Sequence, residues 1–354
     1  MKIQILKYIP AFVMLLITPC AFAHTLDQLI KSIDSNASNT FHGYAFAVVK
    51  NGRIIHKNTY GYAKYDTNTK ITSKTLFPLA SVSKSITALS VMKLVNENRI
   101  NLDENITLSC LKKPVTLRKI LNQTTGYKFT GNKELDNGIN KNQLLDSIKN
   151  QSIQCNDCYF YSNALFSLAD DILKQKGMSL DYAIQNFRKS LGTNEIQLSP
   201  VDPNLQIASR HNLSKIYKDY GNYQLVVGAA AGIYASLDAM IQILQVVAGK
   251  RNDIISDVNM QEIFTKYSQN DDIFKWRTRM PANIKSYYGL GFRIITNQNG
   301  KTFIFHSGKI NGMSAFIGFI PRENIGIVFI QNGSKIDKTD STIVENLINF
   351  ALNA

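Results

Sequence analysis

The residues best suited to chemistry in this sequence are Ser81 and Lys84, which open a long apolar segment that reads as a buried helix. Residues three apart on a helix share a face, so the lysine amine can lie beside the serine hydroxyl. A hydroxyl is a weak nucleophile until a neighbouring group takes its proton. A lysine in a partly desolvated site has a lowered pKa and can take that proton. The pair therefore predicts a serine nucleophile that lysine activates.

The same spacing occurs at Ser90–Lys93 and at Ser109–Lys112, so the pattern alone is a weak signal. Ser90 falls in the middle of the predicted helix, and Ser109 precedes no helix. Ser81 instead stands at a predicted helix N-terminus, where backbone N–H groups can stabilise an oxyanion. For an isolated match, the alternative is a serine helix cap followed by a surface lysine.

A second motif, Tyr161-Ser-Asn163, precedes another predicted helix. A tyrosine hydroxyl can relay protons between a nucleophile and a leaving group, and an asparagine amide can hold a substrate carbonyl. This signal is also weak alone, because Tyr220-Gly-Asn222 has the same form. The structural alternative is a packing tyrosine followed by an asparagine cap.

A third motif, His306-Ser307-Gly308, ends a predicted strand. A backbone N–H just past a glycine on an edge strand can be a second oxyanion donor. The alternative is a structural or solvated histidine. The sequence has no Gly-x-Ser-x-Gly elbow and no His-Glu-x-x-His, and its 5 histidines are scattered. We therefore expect neither a Ser-His-Asp triad nor a metal or other cofactor.

The N-terminal segment 1–23 has the parts of a secretory signal. Lys2 and Lys7 make a basic start, an apolar run follows, and Ala21-Phe-Ala23 is a small-x-small cleavage site. We expect cleavage after Ala23 and a periplasmic or secreted protein. No stable membrane span is expected afterwards, because the apolar run is short for a spanning helix. The alternative is an uncleaved membrane anchor.

The composition is that of a globular protein, with 354 residues of which 44% are hydrophobic and 19% charged. It excludes a disordered, collagen-like or coiled-coil chain. The formal charge is +14, and loss of the two signal lysines lowers it to about +12. Outside the cytoplasm nucleic acid is a poor partner. The expected partners are a small-molecule or peptide substrate and anionic cell-wall material.

Loss of the signal would also remove Cys20 and leave Cys110, Cys155 and Cys158. In an oxidising compartment we expect a structural disulfide between two of them, with one thiol left over. Pairing of Cys110 would close a longer loop and constrain the unfolded chain more, but the sequence does not decide the pair. Redox catalysis and a zinc site are weaker alternatives.

The order of the predicted elements indicates an α+β fold. Two N-terminal strands, Tyr44–Lys50 and Arg53–Lys57, flank an Asn-Gly hairpin turn. A mainly helical block follows, over about 85–230. Further strands are predicted near the C-terminus, ahead of a last helix at about Thr339–Leu352: Tyr287–Ile295, Thr302–Phe305, Met313–Ile320 and Gly326–Ile330. Strands from both ends are expected to join one antiparallel sheet, with an all-helical lobe inserted.

Taken together, the motifs resemble those of the serine hydrolases of the class C β-lactamase and penicillin-binding-protein type, which include D,D-peptidases and esterases. The resemblance runs over about residues 40–335. It includes TLFPLASVSKSITALSVMKLV, YSNALFSLADDILKQKG, YYGLGFRI and HSGKINGMSAFIGFIP, in the family's order. It implies a β-lactamase/transpeptidase-like fold in one domain, residues 24–354, with an α/β lobe and an inserted helical lobe.

The resemblance also implies a role for each motif residue. Ser81 would be the nucleophile, Lys84 its partner and Tyr161 the proton relay or base. The oxyanion donors would be the backbone N–H groups of Ser81 and Lys309. The residues implied to bind substrate are Asn163, His306, Ser307 and Gly308.

Two positions depart from the family pattern. His306 stands where class C β-lactamases usually carry lysine, and a neutral imidazole would hold a carboxylate less firmly than an ammonium. The turn Gln123-Thr-Thr-Gly126 resembles the usual His-Thr-Ser-Gly, and we expect its glutamine to be structural.

These observations predict a serine hydrolase that acts through an acyl-enzyme on Ser81. The expected substrate is a D-Ala-D-Ala-type peptide or a related amide. The alternatives are a class C-like β-lactamase, an esterase of small acyl esters, and a non-catalytic cell-envelope binding protein of the same fold.

Overall fold

A computed structural model describes residues 19–64, 67–212, 215–216, 223–269, 284–334 and 342–353 of the chain. Its helices in chain order are α1 (Pro19–Thr40), α2 (Ser83–Asn96), α3 (Leu117–Leu121), α4 (Asn132–Asp136), α5 (Lys141–Lys149), α6 (Asn163–Phe166), α7 (Leu168–Gln175), α8 (Leu180–Leu191), α9 (Tyr223–Val226), α10 (Gly228–Ala231), α11 (Leu237–Val247), α12 (Asp257–Ile263) and α13 (Thr342–Asn353). Its strands are β1 (Phe41–Lys50), β2 (Arg53–Gly61), β3 (Phe77–Pro78), β4 (Ile196–Leu198), β5 (His211–Asn212), β6 (Lys215–Ile216), β7 (Ile233–Ala235), β8 (Ser268–Gln269), β9 (Lys285–Tyr288), β10 (Arg293–Thr296), β11 (Thr302–Ile310), β12 (Met313–Ile320) and β13 (Ile325–Ser334).

The large antiparallel sheet joins strands from both ends of the chain, in the order β2-β1-β13-β12-β11-β10-β9-β8. β1 lies between β2 and β13, with Ala45 opposite Ile330. The segment between α2 and α10 is mainly helical and also contains the short strands β4, β5 and β6. The predicted α+β architecture, with one sheet built from both termini around a helical insertion, is confirmed.

Successive side chains of a strand point to opposite faces of a sheet, and here both faces of β1 are buried. Ala45 and Ala47 face an inner core that they share with α2 and α11. Phe46 and Val48 face an outer core that α1 and α13 cover. The sheet is therefore a middle layer between two sets of helices.

Helix α2 lies at the centre of the inner core and is buried on nearly all sides, from Ser83 to Leu94. It packs against α8, α10 and α12. The sequence predicts this, because apolar residues occupy most of the circumference of this helix. The N-terminus of α2 therefore lies between the sheet and the helical segment.

The region predicted as one strand, Tyr287–Ile295, is instead the hairpin of β9 and β10, in which Arg293 pairs with Tyr288. The prediction is wrong here because the apolar pattern runs on through the turn. Gly291 makes the reversal: its φ is +68°, and a Cβ there would overlap the carbonyl oxygen of Lys84. Only glycine accepts that φ and that close approach without strain. The predicted last helix is present as α13, whereas residues 339–341 lie outside the described residues.

At the N-terminus, α1 extends across the predicted cleavage position after Ala23, and residues 1–18 lie outside the described residues. Asp34 links α1 to the sheet through two hydrogen bonds. Its Oδ1 accepts from Tyr44 Oη and Asn58 Nδ2, each at 2.9 Å. Across the described ranges, no helix has both the length and the apolarity to cross a bilayer. Cleavage stays a prediction.

Candidate active site

Ser81 lies in a single 3₁₀ turn, Ala80–Val82, that leads directly into α2. The residue before it, Ala80, has a φ of +47°, which is unusual for a residue with a Cβ. β11 packs against this turn. A Cβ on Gly308 would lie only 2.8 Å from the backbone nitrogen of Ser81 and would overlap the Leu79 carbonyl oxygen. Glycine at 308 thus lets the backbone of β11 lie directly against the turn that carries Ser81, the predicted nucleophile.

Lys84, one turn later, is fully buried, with 0% of its surface exposed. Its Nζ is 2.6 Å from Asn163 Oδ1, 3.0 Å from the Ala230 carbonyl oxygen and 3.3 Å from Ser81 Oγ. Burial lowers the pKa of Lys84 below its ordinary value. The amide and carbonyl oxygens can only accept, so they hold two of the lysine hydrogens. In the neutral amine, the lone pair then faces the hydroxyls of Ser81 and Tyr161, both of which hydrogen-bond to this amine.

Tyr161 reaches both members of this pair, since its hydroxyl hydrogen-bonds to Lys84 and Ser81. Lys84 Nζ also lies 4.7 Å from the centroid of its ring. Burial alone would raise the pKa of Tyr161, but the positive charges of Lys84 and Arg293 and these two hydrogen bonds lower it. Tyr161 is thus placed to carry a proton to or from Ser81.

Asn163 is buried at the start of α6, where Ser162 caps the helix by accepting from Leu165 N at 2.9 Å. Its Oδ1 accepts from Lys84, and its Nδ2 donates to Asn132 Oδ1 at 2.9 Å and to Tyr223 Oη. These contacts orient the lysine. The predicted contact between this amide and a substrate carbonyl stays a prediction.

His306 is fully buried in β11 rather than solvated. Its Nδ1 lies 2.9 Å from the Ser307 carbonyl oxygen, and its Nε2 lies 3.0 Å from Tyr288 Oη. Because a carbonyl oxygen only accepts, Nδ1 must carry a hydrogen, and Nε2 can then accept from the tyrosine. Burial, with the charges of Arg293 and Lys84, lowers the pKa of His306 well below its ordinary value. The imidazole is therefore neutral at pH 7.

The remaining part of the third motif lies along the same stretch of β11. β10 pairs with β11 only from Thr302 to Phe305, whereas β12 pairs along it to Ile310. From His306 onward, one side of β11 thus extends past β10 beside the nucleophile turn. Ser307 is partly exposed there and Lys309 is exposed. The structure brings every residue predicted for the site to this one cleft.

Arg293, at the start of β10, is a residue of this cleft that the motifs do not indicate. Its guanidinium carbon lies 4.9 Å from the ring centroid of Tyr161 and 5.9 Å from that of Tyr288. Burial alone would lower the pKa of Arg293, but Tyr159, Tyr161 and Tyr288 hold it above its ordinary value. The signal in the sequence is a single cation inside the apolar stretch YYGLGFRI.

Two supports hold the Tyr161 segment in place. Gln123 accepts from Ser162 N through its side chain and from Phe160 N through its carbonyl oxygen, each at 2.9 Å, which confirms its structural role. Cys155 and Cys158 form a disulfide just ahead of this segment, and Cys110 is a buried free thiol. The disulfide therefore closes the short loop between Cys155 and Cys158, and Cys110 remains a free thiol.

Within the described ranges, no group of three or more His, Cys, Asp or Glu could hold a metal ion.

Comparison with known sequences finds relatives that are matched over only part of their own length. Protein flp of Staphylococcus aureus (strain MRSA252) is 23% identical over 324 residues, which are 82% of this chain and 59% of that protein. A teichoic acid D-alanine hydrolase of the same strain is 28% identical over 116 residues, 31% of this chain and 29% of that protein. The chain thus spans less than two thirds of the length of these curated relatives.

Comparison with solved structures supports the same fold. The octameric penicillin-binding protein homologue from Pyrococcus abyssi is similar with a TM-score of 0.71 and 21% identity, over 93% of this chain and 76% of that one. A class C beta lactamase from Rhodobacter sphaeroides is similar with a TM-score of 0.69 and 16% identity, over 94% of this chain and 98% of that one. A family model described as Beta-lactamase matches residues 24–347. The chain therefore belongs to the Beta-lactamase family.

Proposed function

We propose that the protein is a serine hydrolase that forms an acyl-enzyme on Ser81 and acts on D-Ala-D-Ala-type peptides or related D-amino-acid amides. The observation that carries this proposal is the setting of Lys84. Asn163 and Ala230 occupy two of its hydrogens, and the third position of its amine faces Ser81 Oγ at 3.3 Å. A buried amine in this setting is a base for the hydroxyls of Ser81 and Tyr161, of which Ser81 is the one proposed to attack the substrate.

Acylation follows from this arrangement. Ser81 Oγ attacks the substrate carbonyl carbon while its proton passes to Lys84, and the carbonyl electron pair moves onto oxygen. The backbone N–H groups of Ser81 and Lys309 would stabilise that oxyanion. The C–N bond then breaks, and the proton passes through Tyr161 to the leaving amine.

Deacylation uses the same groups in reverse order. A water molecule attacks the acyl carbon and gives one proton to the Tyr161–Lys84 pair, which returns it to Ser81 Oγ as the ester bond breaks. The net reaction consumes one water and yields a carboxylic acid and an amine. Nothing else is required as a co-reactant.

The charge of the cleft supports a substrate that carries a carboxylate on its leaving group. His306 is neutral. It therefore does not supply the cation that lysine usually supplies at this position in class C β-lactamases. Arg293 supplies one instead, at 4.9 Å from the Tyr161 ring. A guanidinium binds carboxylates through paired hydrogen bonds, so the terminal D-amino acid of a peptide would suit it.

A second candidate function is hydrolysis of D-alanyl esters. It is favoured by the similarity to the protein named teichoic acid D-alanine hydrolase, over 31% of this chain. A D-alanyl ester carries an ammonium on its acyl group and no carboxylate, so the pairing of Arg293 with a terminal carboxylate would not be available to it. We also infer action outside the cytoplasm, on or near anionic envelope material, from the signal-like N-terminus and the charge of +14.

The proposal is tested by labelling the purified protein with a fluorescent penicillin. We expect Ser81→Ala to abolish the covalent label. Ser109→Ala is the matched control, because Ser109 has the same spacing to Lys112 and is exposed; it should label like the wild type. Equal labelling of the Ser81→Ala variant would contradict the acyl-enzyme on Ser81.

Substrates are then separated by turnover. We expect release of D-alanine from a D-Ala-D-Ala peptide to exceed hydrolysis of an O-D-alanyl ester of glycerol phosphate and of the β-lactam nitrocefin. The reverse order for the ester would establish the second candidate function. Dominant nitrocefin turnover would establish a β-lactamase.

A further inference from the structure

Tyr288 is a fully buried tyrosine whose hydroxyl meets the imidazole of His306. It lies on β9, and its Oη is 3.0 Å from His306 Nε2. The two rings are perpendicular, with centroids 6.0 Å apart. Because Nδ1 of the same imidazole donates to the Ser307 carbonyl oxygen at 2.9 Å, Nε2 can only accept from Tyr288. The tyrosine, the histidine and the main chain of β11 thus form one directed series of hydrogen bonds.

The last group of this series, the Ser307 carbonyl, belongs to the backbone that lies beside Ser81. A carbonyl oxygen and the N–H of the following residue lie in one rigid peptide plane, so the bond to the Ser307 oxygen fixes the orientation of the Ser307–Gly308 peptide. Residues two apart in a strand present their backbone groups to the same side. The Ser307 carbonyl and the Lys309 N–H therefore share a side of β11. Gly308 between them lies against Ser81 N.

We propose that Tyr288 is a positioning residue that acts through His306 to hold the Lys309 N–H in place as the second oxyanion donor. This inference rests on the proposed acyl-enzyme function. Tyr288 touches no substrate in this scheme. Its hydroxyl donates to Nε2 of the Nδ1–H tautomer that the Ser307 oxygen selects and so holds the ring in place, and the ring keeps the peptide plane of β11 aligned with the nucleophile turn.

The charges around His306 favour this arrangement over a protonated imidazole. Arg293 carries positive charge toward it, and so does Lys84 whenever its amine is protonated. Tyr161 lies beside it, with ring centroids 6.3 Å apart, and Tyr288 contacts it from β9. No carboxylate is among the groups that act on the imidazole within the described residues. A protonated histidine would gain no compensating partner, so the neutral Nδ1–H form is the stable one.

The test is a double-mutant cycle with Tyr288→Phe and His306→Leu, measured as the rate of acylation by a fluorescent penicillin against its concentration. We expect Tyr288→Phe to lower the limiting acylation rate about 10- to 100-fold, because loss of one oxyanion donor costs about 100- to 1,000-fold. The half-saturating concentration should change less than about threefold, because the donor acts on the transition state. In the His306→Leu background, Tyr288→Phe should change the rate less than about twofold.

Tyr287→Phe is the matched control, because Tyr287 is the neighbouring residue of β9 and its ring contacts Lys266 rather than His306. It should leave the rate within about twofold of the wild type. Each variant is compared by thermal melting, so that only folded proteins enter the cycle. Independent effects that multiply in the double variant would overturn the proposal, as would an unchanged rate for Tyr288→Phe.

A second measurement does not depend on activity. In the wild type, the ¹⁵N resonances of the His306 imidazole, assigned with His306→Leu, should report the neutral Nδ1–H tautomer from pH 8 down to pH 5.5. Tyr288→Phe should shift the Nε2 resonance, because this nitrogen loses its hydrogen-bond donor, and unchanged resonances would overturn the proposal. If wild-type protein shows this tautomer but no Ser81-dependent labelling, the proposed function fails while the hydrogen-bond series stands.

Discussion

Two Ser-x-x-Lys pairs lie on one continuous stretch of helix, at Ser81–Lys84 and at Ser90–Lys93, in different surroundings. Lys84 is fully buried and donates to the neutral oxygens of Asn163 and Ala230. Lys93 is 12% exposed and forms an ion pair with Glu97 at 3.0 Å. Ser90 is buried, and its Oγ has no hydrogen-bond partner among the described residues.

The comparison separates the effect of the Ser-x-x-Lys spacing from the effect of the surroundings of each lysine. Three residues of helix bring a hydroxyl and an amine to one face in both places. A carboxylate partner holds the proton on a lysine, whereas burial among neutral acceptors makes the proton easier to lose. The proton affinity of each lysine is thus decided by its partners, not by its distance from a serine along the chain.

The largest effect that sharpens this comparison is loss of the nucleophile. Ser81→Ala should lower kcat/KM at least about 1,000-fold on the best substrate of the panel. Ser90→Ala should stay within about threefold of the wild type, because Ser90 makes no hydrogen bond that the reaction uses. Steady-state kinetics on both variants measures this difference. A similar loss in both would break the distinction between the two serines.

Replacement of the two lysines should give the next largest difference. Lys84→Met should lower kcat about 100- to 10,000-fold, because it removes the base. It should also lose stability, because the buried oxygens of Asn163 and Ala230 lose their donor, so urea unfolding must show a folded protein before its activity is compared. Lys93→Met should retain activity and lose less than about 1 kcal/mol of unfolding free energy, the usual worth of such a pair. Activity assays and urea unfolding of both variants check this, and an active Lys84→Met protein would contradict the assigned role.

Substitution of Arg293 tests whether substrate binding in the cleft requires a cation other than lysine. With a D-Ala-D-Ala peptide and its C-terminal amide as paired substrates, the wild type should favour the free carboxylate. Arg293→Gln should reduce that preference about 10- to 100-fold in kcat/KM, the worth of a charge-assisted hydrogen bond. Arg53→Gln, on the exposed start of β2, is the control. An unchanged ratio in Arg293→Gln would remove the carboxylate from the proposed substrate.

The smallest effect concerns stability at acid pH. The pKa of His306 is lowered in the folded protein, so below pH 6.5 the unfolded chain binds a proton that the folded chain does not. Unfolding free energy should therefore fall as the pH drops below that value, by at most about 1.4 kcal/mol per pH unit from this group. His306→Leu should show a shallower fall from pH 7 to pH 5 in urea titrations. Parallel curves would show that His306 does not stay neutral.

Much of the fold is readable from the sequence because its signals are local. The Asn51-Gly52 turn predicts the β1–β2 hairpin, and an apolar circumference predicts that α2 is buried. The prediction of one strand over Tyr287–Ile295 is wrong for the same reason, since the local pattern stays apolar through a turn that Gly291 makes against Lys84. That approach joins positions about 200 residues apart.

From the sequence alone the class of fold could be predicted, and Ser81, Lys84, Tyr161 and His306 could be proposed as site residues, because spacing, apolar period and turn residues are properties of neighbouring residues. The three-dimensional structure adds which lysine lacks a carboxylate partner, which tautomer His306 adopts, the position of Arg293 beside Tyr161, and the pairing of Cys155 with Cys158. Protonation and tautomer depend on burial and on partners brought from distant segments, and Lys84 has its partners 79 and 146 residues away. No local pattern contains that information.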